Sequence, residues 1–285
     1  MLLDRFDSLM EFLAANSSQH GRGTALYRFA DEVVKQAFKE ALPSFEAGKP
    51  VRLAEFGDLV LPYEKMGAID SIDLFGLDEL LMFAFYYRNK ERYRRAADIG
   101  ANLGLHSILL SKAGWQVEAY EPDPSHHVKL MRNLGLNDVH TTVVHKAAVS
   151  DHVGSMQFVR VLGNTTSSHL AGAKANPYGE LERFDVDVVD VKDIARRVDL
   201  MKIDAEGHEA VILNAIAPEQ WQALDAFVEI GSPENAQAVF ERFHGTGVNI
   251  FAQKLGWKHV QSIPDMPTSY KEGGVFISVK AEMPW

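Results

Sequence analysis

A chain of 285 residues with 46% apolar content can bury a large core, and it fits a single α/β domain with a helical extension. Its 29 basic and 39 acidic residues leave a net charge of −10, which repels a phosphate backbone and sets nucleic acid aside as a partner. It has no cysteine, which excludes disulfides, thiolate metal sites and cysteine nucleophiles and accords with a reducing cytoplasm.

In chain order, Asp4, Asp7 and Glu11 interrupt the first segment as a secretory leader, and no uncharged apolar run reaches membrane-spanning length. A soluble, cytoplasmic protein without membrane insertion is the expectation, and a homo-oligomer is compatible with it. Residues 1 to about 45 carry helical spacing at Phe29, Val33, Val34, Ala37 and Phe38, with Pro43 expected as the stop. Residues 51–63 read as two short extended runs about a Gly-Asp turn, and the segment from Asp73 reads as a helix apolar nearly all round. Its cluster Phe83, Phe85, Tyr86 and Tyr87 is taken as core rather than as a sugar-stacking platform. Residues 1–75 thus form an N-terminal helical cap segment, and 76–285 form the main domain.

From Ala96 strands and helices alternate with short connections, as in a mostly parallel sheet with helices on both faces. Seven strands are expected: 96–100, 116–121, 140–145, 199–204, 226–230, 258–263 and 274–280. An insertion over 150–190 holds two alternating runs, "MQFVRV" and "FDVDVV", expected to pair as an antiparallel ribbon. Its long polar loop, within 160–183, is expected to join the N-terminal segment as a lid over the substrate.

The stretch "AADIGANLGLHS" runs an apolar strand into Gly100 and Gly104 and then into a helix. Residues without a Cβ let the backbone approach a ligand there, and free N–H groups at the helix start can hold its polar parts. The order Gly100-Ala101-Asn102-Leu103-Gly104 lacks the middle glycine of a dinucleotide fingerprint, and there is no phosphate-binding loop of the Gly-Lys-Ser/Thr type. Asp98 at the end of the strand suits a ligand with a cationic amine or sulfonium. Glu121 ends the second strand 17 residues beyond Gly104, where an acid can accept from both hydroxyls of an unphosphorylated ribose. S-adenosylmethionine satisfies both requirements.

"DIGANLG", "YEPDP", "RNLGLN", "HKAAVSDHVGSMQF" and "DLMKIDAEGHEAVIL" occur in an order and spacing that resemble the FkbM family of S-adenosylmethionine-dependent methyltransferases, over roughly residues 96–230. The resemblance implies a Rossmann-like class I fold of seven strands with the last antiparallel. It also implies methyl transfer to a hydroxyl of a sugar, glycoconjugate or polyketide-like small molecule, with S-adenosylhomocysteine as product. It puts Asp98, Gly100, Asn102 and Gly104 around the methionine part of the cofactor and Glu121 on the ribose with Pro122 beside it. Ala147 and Ala148 would stand near the adenine, unless they are ordinary strand packing.

Chemistry falls on "KIDAEGHE". Asp204 ends the fourth strand, and Glu206 and His208 follow on the turn, so three proton acceptors share one loop. Asp204 also belongs to the cofactor's surroundings. Glu229 ends the fifth strand, and the pair Asp204 and Glu229 is the candidate for a divalent cation, a possibility ranked below metal-free base chemistry. Lys202 is expected as a half-exposed strand residue alternating with Met201 and Ile203. His208-Glu209 does not continue into a zinc-binding H-E-x-x-H, because Ile212 holds the last position. His126, His127, His140, His145 and His152 are expected to be solvated or internally satisfied, whereas His169 in the insertion loop is the histidine placed to meet a substrate. Two rival functions stay open: a non-catalytic adenosyl-binding or assembly protein, and an NAD-dependent oxidoreductase, which lacks its Tyr-x-x-x-Lys pair here.

Overall fold

A computed structural model describes residues 8–174 and 179–285. Asp4 and Asp7, and the part of the insertion loop over 175–178, lie outside the described residues. The chain opens with α1 (Leu9–Ala15) and α2 (Ala25–Glu46), the latter capped by the Thr24 hydroxyl, which accepts from Tyr27 N at 3.1 Å. The expected stop at Pro43 is corrected: α2 runs three residues past it. Proline already holds a helical φ and loses only one backbone bond, and Phe45 beyond it is fixed by tilted ring contacts with Phe38 and Phe75. A two-residue hairpin follows, β1 (Val51–Arg52) against β2 (Asp58–Leu59), and then α3 (Leu77–Arg88). Asp78 pins these pieces together, accepting from Tyr27 Oη at 2.8 Å and from the side chains of Arg22 and Gln253.

The alternating part comprises β3 (Arg95–Ile99), α4 (Leu105–Lys112), β4 (Gln116–Tyr120), α5 (Pro124–Leu136) and β5 (Val143–His145). Next comes the insertion, with β6 (Ala148–Ser150), β7 (Gly154–Val161), β8 (His169–Leu170) and β9 (Leu181–Asp190). It leads through α6 (Val191–Ala195) to β10 (Leu200–Ile203), α7 (Glu209–Ala215), β11 (Asp225–Val228), α8 (Pro233–Phe243), β12 (Asn249–Ala252), β13 (Lys258–His259) and β14 (Val275–Ser278). The main sheet has the order β13-β12-β14-β11-β10-β3-β4-β5, with β14 antiparallel to both neighbours. This is the Rossmann-like arrangement expected, with the last strand reversed, and the order switches direction between β3 and β10.

Two of the seven expected strands are corrected. The sixth is β12, not 258–263, of which only β13 is strand, at the sheet's edge and as an eighth member. "NIFA" in β12 is short and packed on both faces, so it lacks the alternation that marks a half-buried strand. The third strand is confined to β5.

Alternate residues of each strand feed two apolar layers. Ala96, Leu200, Phe227 and Phe276 pack with α1 to α5, whereas Ala97, Met201, Val228 and Ile277 pack with α6 to α8. Phe83, Phe85 and Tyr86 are fully buried in the first layer, as expected of core. The insertion forms its own sheet, β6-β9-β7-β8, in which β7 and β9 pair antiparallel from Gly154↔Val188 to Val161↔Leu181. Among the described residues no helix is long and apolar enough to cross a membrane.

Candidate active site

The carboxyl ends of β3, β4 and β10 meet where the strand order switches. Gly100 N and Ala101 N both donate to Tyr120 O at 3.0 Å, and Asp204 N donates to Ile99 O at 3.1 Å, so the three strand ends are tied by backbone. Gly100 has φ +76°, and a Cβ there would lie 1.9 Å from Asp204 O. Only glycine lets the two loops approach this closely. Asn102 also adopts a left-handed φ of +51°, and Gly104, at +84°, caps α4.

A small cleft of about 50 Å³ opens at this point, lined by Gly100, Asn102, Lys202, Asp204, Glu79 and His106 among others. Asp98 lies beneath it at 0% exposure: its Oδ2 accepts from Ser107 Oγ at 2.6 Å, and its Oδ1 has no hydrogen-bond donor. Asn102 Oδ1 is likewise buried without a partner. On the far side of the turn Glu121, 5% exposed, accepts from Asn102 N and Asp123 N, both at 2.8 Å. Each carboxylate oxygen of Glu121 keeps one lone pair for another donor. Burial, more than its neighbours' charges, pushes its carboxyl up to about 8. Pro122 is half-buried after β4, and Ala147 and Ala148 are buried where β5 gives way to the second sheet.

Lys202 corrects the expectation of a half-exposed residue: it is 7% exposed, on the opposite face from Met201 and Ile203. Its Nζ stands 3.3 Å from Asp204 Oδ2, 3.4 Å from Gly100 O and 3.7 Å from Asp98 Oδ1. Burial opposes the charge, but Asp204 and Asp98 outweigh it and hold the ammonium above its ordinary range. Burial likewise works against Asp204, yet Lys202 and a hydrogen bond with Glu229 keep that carboxyl below its usual range. The Asp204 charge, reinforced by burial, raises Glu229 well above its own. Asp204 and Glu229 are therefore brought together as neighbouring acids at the ends of β10 and β11, Asp204 held down by Lys202 and Glu229 pushed up by the Asp204 charge. Among the described residues no group of three or more His, Asp or Glu side chains is arranged to hold a metal ion.

The three acceptors of the "DAEGH" loop part company. Glu206, at φ +51°, is raised to about 7 by burial and by Asp204, and it pairs with Lys174 of the insertion. His208 is buried and turned to the second sheet, its Nε2 2.8 Å from Ser150 Oγ. Glu209 is spent on structure, accepting from Ala205 N at 2.9 Å and Gly207 N at 3.0 Å. His169 is corrected: it is 2% exposed within β8, with Nδ1 2.9 Å from Ser167 O, and faces no open space. Of the other histidines, His126 is buried with Nε2 2.9 Å from Thr165 Oγ1.

Sequence reasoning missed Glu79 and His106. His106 Nε2 lies 2.7 Å from Glu79 Oε2, and its Nδ1 lies 3.0 Å from Tyr86 Oη. The available signals were an acid in the first turn of an otherwise apolar helix and a histidine two residues past the glycine turn.

The described part of the insertion loop reaches the segment before α3 and the turn after β10. Ala68 N donates to Gly163 O at 2.7 Å and Thr165 N to Met66 O at 3.0 Å, while a Cβ on Gly207 would meet Ala173 O at 2.7 Å. At the loop after β4, Arg160 grips Asp123 through Nε at 2.6 Å and a terminal nitrogen at 2.7 Å, and Asp123 is held down at about 2.

The residues present fit an adenosyl cofactor: a glycine cradle, two orphaned buried oxygens and a buried acid with spare acceptor capacity. Residues 98–252, just over half of the chain, match the family described as Methyltransferase FkbM domain. The chain is similar to Methyltransferase sdnD of Sordaria araneosa, 27% identical over 197 residues that cover 56% of this chain and 75% of the relative. It is also similar to Methyltransferase 1 of Beauveria bassiana, 26% identical over 153 residues covering 46% and 61%. Among solved structures, an O-methyltransferase from Bacillus cereus in complex with S-adenosylhomocysteine is similar at a TM-score of 0.39 and 11% identity, covering 87% of this chain and 95% of that one. That likeness is too loose to bear on reaction or substrate.

Proposed function

The chain belongs to the FkbM family of S-adenosylmethionine-dependent methyltransferases, and from that premise we propose that it methylates a hydroxyl of a sugar, glycoconjugate or polyketide-like small molecule. The cofactor, when bound, supplies a methyl group made electrophilic by its sulfonium. Gly100, Asn102 and Gly104 with Asp98 hold its methionine side, Glu121 and Pro122 its ribose, and Ala148 its base. Asp204 accepts the proton of the acceptor hydroxyl as the new bond to carbon forms. Protonated Glu229 and the Lys202 ammonium keep Asp204 ionised until then, so the acceptor meets a carboxylate and not an acid.

The observation that supports this reading is that the Asp204 carboxylate lines the same cleft as the glycine turn. Glu206, tied to Lys174, acts as a latch for the insertion loop, and His208 supports the turn through Ser150. The test is transfer of a labelled methyl group to a panel of sugars, glycoconjugates and polyketides. Asp204→Asn should lower turnover by roughly 10²–10⁴-fold while calorimetric affinity for S-adenosylhomocysteine holds. Turnover near wild type in that variant moves the base to another residue.

A further inference from the structure

The outer face of α5 and the edge strand β5 are left uncovered by the described residues. Helix α5 buries His126, Leu130, Asn133 and Leu134, and it turns Val128, Met131 and Leu136 outward on the spacing of one helical face. Val143 joins them from β5, which pairs with β4 on one side and ends the main sheet on the other. These four side chains are between 45% and 67% exposed, and they are four of the ten large apolar side chains exposed among the described residues. Single exposed apolar residues are ordinary, but a set on one helix face beside an open strand edge marks a surface that another molecule covers. Gly135 lies on the same face without a left-handed φ, and open space surrounds the position of its missing Cβ, so nothing inside the chain calls for glycine there. It lets a second helix come close.

Charge on this face is divided between its ends. At one end, partial burial and then the Lys146 charge lower the His127 imidazole in the first turn of α5, which puts Lys146 beside the helix start. At the other end Asp138 follows the helix at φ +54°. Neither Lys146 nor Asp138 has an ion-pair partner among the described residues. Arg132, between them, is neutralised by Glu64, with Nη1 2.8 Å from Oε1. A basic end, an apolar middle and an acidic end complement themselves after a half-turn about an axis across the helix. The helix dipoles then oppose each other as well, whereas a parallel arrangement sets like charges together.

We propose that this face is the seam of a homodimer: a second copy of the chain lays its α5 antiparallel across Val128, Met131 and Gly135, Lys146 meets the partner's Asp138, and the two β5 edges stand side by side. The seam adjoins the strand end that carries Glu121, because His145 O at the end of β5 accepts from Glu121 N at 3.1 Å. The inference stands apart from the adenosyl-cofactor reading of the cleft.

Sedimentation velocity over roughly 1–100 μM protein tests it. Wild type should form a dimer within that range. Met131→Glu should raise the dimer dissociation constant roughly 100-fold, and Val128→Lys, at the most exposed of the four positions, should do the same and serves if the first variant fails to fold. Asp138→Asn, which tolerates the left-handed φ, and Lys146→Glu should each weaken the dimer. Combined, they should recover part of what Lys146→Glu loses, because the partner's position 138 no longer repels it. Since the chain has no cysteine, Met131→Cys supplies a single thiol, which a short bis-maleimide should link into a covalent dimer, while Val153→Cys, on the exposed turn before β7, should stay monomeric. A wild-type melting transition certifies each variant as folded. A monomer throughout the range, a dimer that survives both apolar substitutions, charge effects that merely add, or equal cross-linking at both thiols overturns the inference.

Discussion

Glu121 sits in a place that suits a neutral acid, yet its proposed task needs a carboxylate. Its carboxyl is raised from the ordinary 4.5 to about 8, so its contribution to the stability of the free protein is fully present below pH 4.5 and is lost as pH rises through about 8. Ribose hydroxyls donate to the ionised form, so cofactor binding should release a proton and strengthen from pH 6 to about 8. Glu121→Gln should abolish that slope and weaken binding by about 1.5–3 kcal/mol. Calorimetry in buffers of different ionisation enthalpy reads the proton directly, and binding without proton release would remove Glu121 from the ribose. At this scale the glycine turn and the acid that ends β4 were legible because a close backbone approach between strand and helix leaves a spacing in the sequence. Lys202, Glu79 and His106 were not, because their partners come from other strands and helices. Lys202 in "LMKID" looks like alternation until Asp98 and Asp204 are brought to either side of it.

The insertion illustrates what an element reveals of itself. Its paired runs alternate with a period of two, so the ribbon of β7 and β9 was visible, whereas its anchorage was not, because Asp123 and Arg160 are joined only by the fold. The Arg160→Ala substitution leaves Asp123 buried with only Ser125 and the start of α5 as donors, and should cost about 1–3 kcal/mol in a urea titration. It should also release the loop after β4 and lower cofactor affinity, since Asp123 N is one of the two donors that hold Glu121. Unchanged affinity would mean that the ribbon and the cofactor loop are independent. The misplaced sixth strand has the opposite cause. β12 is four residues long and runs three apolar residues together, while 258–263 finds a partner only over Lys258–His259.

Across the whole molecule, one side of the sheet is built from both ends of the chain. Phe85 of α3 packs edge-on to Phe227 at 4.8 Å between centroids and to Trp285 at 5.6 Å, so the helices before β3 and the last residue share one core. Phe85→Ala should cost roughly 3–5 kcal/mol and shift one cooperative melting transition, whereas two separable transitions would show that the N-terminal helices fold apart from the sheet. The helix-flanked sheet itself was legible because its strands and helices alternate along the chain. The second sheet holds a different consequence. Its parallel pair Ala148↔Val188 to Ser150↔Asp190 sets the chain's departure into the insertion one strand spacing, about 4.8 Å, from its return. A segment whose two ends adjoin makes little demand on the geometry of its host, and exchanges of its length and tip leave the host's chain path unbroken. Such a graft point makes the outer part of this ribbon interchangeable, so long as Arg160 stays to hold Asp123 and, through it, the surroundings of the turn from Gly100 to Gly104.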